Sequence, residues 1–215
     1  MMDERREATR IAYDSLAAVY ASALPDLTYE APLDRAMIAE VVRELPERAS
    51  VLDAGCGTGR LLAHLRAQRP SLRLVGVDLS DGMLEQASRV ASDVELAPAD
   101  LAALPFEDAR FDAVIAWYSV IHTPTDGLVG IFREIARVSV PGAAVLVAFQ
   151  VGSGARTVRQ AYGLDVELTA FLHAPSDVEV ALQSVGLTME ASLVRAPRAT
   201  EAHPQAVLLA RKPLS

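Results

Sequence analysis

The stretch Val51-Leu52-Asp53-Ala54-Gly55-Cys56-Gly57-Thr58-Gly59 constrains this chain more than any other. An apolar run that ends in three glycines at alternate positions reads as a strand turning abruptly into a loop with room for a ligand. From residue 60 to 69 the spacing becomes helical. A second apolar run, Leu74-Val75-Gly76-Val77, then ends in Asp78, where a carboxylate can accept hydrogen bonds from both hydroxyls of a ribose. Strand, glycine loop, helix, strand and acid, in that order, predict two consecutive parallel strands with a nucleotide-type cofactor across their ends. Ser80, between Asp78 and Asp81, suits the N-cap of a helix running to residue 89.

The glycine spacing separates two cofactor classes. A dinucleotide fingerprint is GxGxxG; here the pattern is GxGxG, and Arg60 stands where the last glycine would be. Asp53, at the head of the loop, would repel a pyrophosphate but suits an ammonium or a sulfonium. That charge points to S-adenosylmethionine. On these residues the chain resembles the class I S-adenosylmethionine-dependent methyltransferases of small-molecule type, over nearly its whole length. The resemblance implies that Asp53 and the loop glycines Gly55, Gly57 and Gly59 cradle the aminoacyl end of the cofactor and that Asp78 holds the ribose. It also implies that Asp100 meets the adenine amine beside the Leu101 amide, with Leu79 and Met83 as apolar walls. An element YDxxAxxY, carried here by Tyr13 and Tyr20, folds over the cofactor in similar proteins; by that resemblance Tyr20 or Tyr13 bonds the methionine carboxylate and Arg60 pairs with it.

The acceptor is expected beyond the fourth strand, since ligands in open α/β sheets sit outside the carboxyl ends of the strands. There Trp117-Tyr118-Ser119-Val120-Ile121-His122-Thr123-Pro124 concentrates aromatic and titratable side chains in a chain that is 5% aromatic. Trp117 is placed with the cofactor-binding residues, and Tyr118 and His122 are the catalytic candidates. His122 can serve as a general base, because an unperturbed imidazole titrates near neutrality; its alternative role is to order the turn before Pro124. His173 is a rival. Residues 150–175 read as a substrate lid. Methyl transfer from a sulfonium needs positioning more than acid or base help, so the absence of a serine triad or paired-carboxylate site is compatible with it. The four histidines are scattered, and no metal is expected.

The rest of the chain alternates helical and strand patterns, which predicts an α/β fold: a single doubly wound, Rossmann-like domain with helices on both faces. Helices are expected over 8–23, 34–45, 125–137 and 176–184, and later strands over 111–117, 143–149, 187–196 and 205–211. The last two strands follow one another without a helix and should pair antiparallel. The resemblance supplies the order of the seven-stranded, mostly parallel sheet, 3-2-1-4-5-7-6 with strand 7 antiparallel. Residues 1–46 read as an N-terminal helical cap and 47–215 as the cofactor-binding part of one structural domain. A net charge of −8 without a basic stripe argues against nucleic acid as a partner. The 51% hydrophobic residues lie in short runs, none of membrane-spanning length, and the charged N-terminus lacks a signal core, so a cytoplasmic location is expected. The lone Cys56, inside the loop, excludes an internal disulfide. The expected partner is a small-molecule methyl acceptor. A non-methylating enzyme or a binding protein on the same scaffold is the alternative.

Overall fold

The computed structural model describes residues 2–214. Its elements run α1 (Met2–Ala23), α2 (Pro32–Glu44), β1 (Ser50–Ala54), α3 (Arg60–Gln68), β2 (Arg73–Asp78), α4 (Asp81–Val90), β3 (Glu95–Pro98), β4 (Phe111–Trp117), α5 (Leu128–Val138), β5 (Ser139–Gln150), β6 (Ala155–Ala161), β7 (Leu164–Phe171), α6 (Pro175–Ser184), β8 (Thr188–Arg195) and β9 (Gln205–Arg211). Seven strands form one sheet in the order β3-β2-β1-β4-β5-β9-β8. The first five are parallel, and β9 runs antiparallel to both β5 and β8. With β6 and β7 set aside, this is the expected order.

The sheet is covered on both faces, which is why β1 and β4 are buried at nearly every position. Alternate side chains go to opposite layers. Val114 and Ala116 join the layer under α5 and α6, while Ala113, Ile115 and Trp117 join the layer under α2 and α3. Helix α5 shows how sequence sets this packing: Leu128, Ile131, Phe132, Ile135 and Val138 fall on one stripe and are buried together. At the start of α4, Ser80 accepts the Met83 N–H, so it is the N-cap.

Two features go beyond the sequence reading. Residues 155–171, inside the stretch read as a lid, form a two-stranded antiparallel sheet of their own, for which no strands are predicted. Its turn is Tyr162-Gly163, both at positive φ (52° and 81°), the backbone of a two-residue hairpin loop whose twist matches the strands. Of residues 1–46, α1 lies on α4 and on the β6–β7 hairpin, whereas α2 buries Ile38, Val41 and Val42 within a core layer of the sheet. Among the described residues no helix is long and apolar enough to cross a membrane.

Candidate active site

A cavity of about 810 Å³ opens at the carboxyl ends of β1, β2 and β4. The glycine loop forms one wall. Its shape comes from β2: the Gly55 and Cys56 amides both donate to the Val77 carbonyl at 2.8 Å. Gly55 has φ +86°, and a Cβ there would collide with the Cβ of Ser119, so only glycine fits. The Gly57 amide donates to Asp78 Oδ2 at 2.8 Å, and the Ser80 amide to Oδ1 at 3.0 Å. Each oxygen of Asp78 therefore keeps lone-pair capacity for one more donor on the cavity side. Loss of solvent raises the Asp78 pKa, and these amides oppose the rise.

Asp53 lies beneath the loop, fully buried, and neither carboxylate oxygen has a hydrogen-bond partner. It adjoins a space of about 40 Å³ shared with Tyr20, Thr58, Arg60 and Trp117. Burial, then the charge of Asp78, pushes its pKa up to about 8, with Arg60 opposing. A buried carboxyl without partners is costly, and a cation brought against it would relieve that cost. Cys56 is buried in the same loop, and burial drives its thiol pKa well up, away from nucleophile chemistry.

Gly55, Gly57, Arg60, Asp78, Leu79, Met83, Asp100, Leu101, Trp117, Tyr118, Tyr20 and His122 all line the main cavity. Gly59 does not; its φ of +79° starts α3, and its Cα faces Ala87. Arg60 and Asp100 arrive already engaged. Arg60 Nη1 pairs with the buried Glu30 at 2.6 Å, and Asp100 takes Arg6 from α1 at 2.8 Å and the Ala102 amide at 2.9 Å. Tyr118 holds a positive φ of 57° beside Trp117, whose ring meets it edge-on at 5.6 Å. Burial, then the negative charge of Asp34, raises the Tyr118 phenol pKa.

His122 is in place but not free. Its Nδ1 lies 2.9 Å from the Thr169 carbonyl, which can only accept, so Nδ1 carries the proton; Nε2 then accepts from the Tyr13 hydroxyl at 2.7 Å. Loss of solvent holds its pKa down to about 4, with the Arg156 charge adding to the shift and the Thr169 carbonyl opposing it. Both nitrogens are occupied in a neutral ring, so of the two roles considered for His122 this geometry is that of an ordering residue bonded to a backbone carbonyl. The rival His173 is buried, contacts Thr125 Oγ1 at 3.1 Å and is absent from the cavity wall.

The sequence reading missed the cavity residues Glu30, Gln150, Gln205, Arg156, Val158, Leu168 and Ala170. Period-two alternation along β6 and β7 was the available signal for the last four.

A family model described as a methyltransferase domain matches residues 51–142, from the glycine strand through β4 and α5. The chain is 35% identical over 133 residues to a malonyl-acyl-carrier-protein O-methyltransferase of Pseudescherichia vulneris, covering 61% of this chain and 51% of the relative. Residues 51–142 thus carry a methyltransferase domain, and the likenesses support a class I S-adenosylmethionine-dependent methyltransferase. Among solved structures, the chain superposes on a SAM-dependent methyltransferase from Methanosarcina mazei with a TM-score of 0.72 at 19% identity, covering 83% of this chain and 98% of the other. It matches the (4+2)-cyclase SpnF with a TM-score of 0.73 at 20% identity over 97% of both chains. At such identities the likeness is one of fold, and the same fold carries different reactions. The chain spans about half the length of the curated relatives it matches first. S-adenosylmethionine is the cofactor of this family.

Proposed function

We propose that the chain transfers the methyl group of S-adenosylmethionine to a nucleophile of a small molecule bound in the cavity. The observation that carries this reading is Asp53: a buried carboxylate with no partner, under a glycine loop and beside Asp78, is the complement of a ligand with a cationic amino acid end and a ribose. In this reading Asp53 and the loop from Gly55 to Gly59 receive the aminoacyl end, with Tyr20 and Arg60 at its carboxylate. Asp78 accepts from the ribose hydroxyls, and Asp100, Leu101, Leu79 and Met83 surround the adenine.

When bound, the cofactor supplies a methyl group on a sulfonium that leaves as a neutral thioether. The protein's part is position and dryness. Helix α1 and the β6–β7 hairpin wall the chamber from solvent, Trp117 and Tyr118 shape its floor, and the Tyr13–His122 pair fixes the wall facing the acceptor. His122 acts here as a positioning residue, since a proton reaching it must pass through the Tyr13 oxygen. A cavity of about 810 Å³ is of the size that small-molecule sites occupy.

Calorimetric titration with S-adenosylmethionine and S-adenosylhomocysteine tests the reading. Micromolar binding to the wild type, weakened roughly a hundredfold by Asp78→Ala through loss of two charge-assisted hydrogen bonds, is expected. A folded wild-type protein that binds neither compound sinks it.

A further inference from the structure

We infer that Arg156 anchors an acidic acceptor, so that the chamber beside the hairpin takes a small molecule with an apolar body and a carboxylate. This rests on the methyltransferase reading, which makes that chamber the acceptor's. The inward face of the hairpin is apolar at Val158, Leu168 and Ala170, and Arg156 is its only charged residue in the cavity wall. The other guanidiniums of the wall that hold ion pairs have their acids within the chain: Arg60 has Glu30, Arg6 has Asp100, and Arg10 has Glu7 and Asp14. Arg156 differs. Its Nη2 donates to the neutral Gln150 Oε1 at 3.0 Å, and its Nε is buried without any acceptor.

Arg156 is half-buried, and the Nε that it does enclose lacks an acceptor, which is costly and which an arriving anion would relieve. Its planar fork matches a carboxylate through two parallel hydrogen bonds. The state of His122 points the same way. With both ring nitrogens occupied, His122 offers no ready base to a neutral hydroxyl, whereas a carboxylic acid enters already ionised.

The test uses protein saturated with S-adenosylhomocysteine, titrated calorimetrically with octanoate and benzoate beside octanamide and benzamide. The acids should bind roughly tenfold or more tightly than the amides, the size of one charge-assisted contact. Arg156→Gln should erase that preference, Arg156→Lys should keep part of it, and S-adenosylhomocysteine affinity should be alike in all three proteins. Acid and amide bound equally, no acid bound, or a preference that survives Arg156→Gln would overturn the inference. A prior titration of the wild type with S-adenosylhomocysteine keeps the two failures apart: no binding there takes down the methyltransferase reading, whereas binding followed by indifference to the acids takes down the Arg156 assignment alone.

Discussion

The carboxyl of Asp53 sets the most direct expectation at the scale of single residues. Its pKa stands near 8 in the free protein, so at pH 7 the group is largely protonated. A cation placed against it favours the ionised form, and the proton must leave as the cofactor enters. Calorimetry at pH 7 in buffers of differing ionisation enthalpy should therefore show close to one proton released per S-adenosylmethionine bound, and Asp53→Asn should show almost none. Affinity should rise with pH up to about 8 in the wild type and stay flat in the variant. The stability consequence has the opposite sense. A folded pKa raised above the usual carboxylate value means that the native state holds the proton longer than the unfolded chain. Stability from this residue thus falls as pH climbs from about 4 to about 8, and the Asn variant lacks that decline. His122 offers a second check: removing the Tyr13 hydroxyl by Tyr13→Phe deprives neutral His122 of its donor at Nε2. The imidazole pKa should then move up from about 4, read by NMR.

The β6–β7 hairpin decides what can be tested at the scale of elements. Gly163 sits at φ +81° in its two-residue turn, a conformation costing about 1 kcal/mol or more for any residue with a Cβ. Gly163→Ala should loosen the hairpin alone: amide exchange in β6 and β7 should speed up roughly fivefold, with cofactor affinity retained. The same element marks the limit of what the sequence discloses. The glycine loop, Asp78 and the Ser80 cap are legible because each is a local event, fixed within a few residues by backbone sterics or a neighbouring amide. Strands β8 and β9 are legible because apolar runs flank a stretch with prolines at both ends. The hairpin carried an alternating pattern over Arg156-Thr157-Val158, but its turn is Tyr-Gly rather than one of the common signals, and its alternation mixes charge with short apolar residues. Partners distant in the chain left no trace at all. Nothing near Arg60 announces Glu30, nothing near Asp100 announces Arg6, and nothing near His122 announces Tyr13 or Thr169.

Across the whole molecule, one ion network joins the two ends of the sequence. Arg195 on β8 makes a two-point contact with Asp34 of α2, at 2.8 and 2.6 Å, and a second with Glu201, at 2.6 and 2.8 Å; Asp34 is fully buried. The second acid gains much from it: the Arg195 guanidinium, chiefly by hydrogen bonding, holds Glu201 down to about 2. Removing the cation leaves Asp34 charged and enclosed, an arrangement that costs about 3–5 kcal/mol. Arg195→Met should lower chemical-denaturation stability by about that amount, and adding Asp34→Asn should recover much of the loss, because the stranded charge is gone.

Helix α1 touches nearly every region on which ligands depend. Arg6 pairs with Asp100 at 2.8 Å, Asp14 receives the Ser80 hydroxyl at 2.6 Å and the Gly82 amide at 3.0 Å, Tyr13 reaches His122, and Tyr20 packs edge-on against Tyr162 of the hairpin turn. The helix thus forms one roof over both the Asp78 side and the His122 side of a single cavity. A substitution that shifts this roof should therefore be felt on both sides at once.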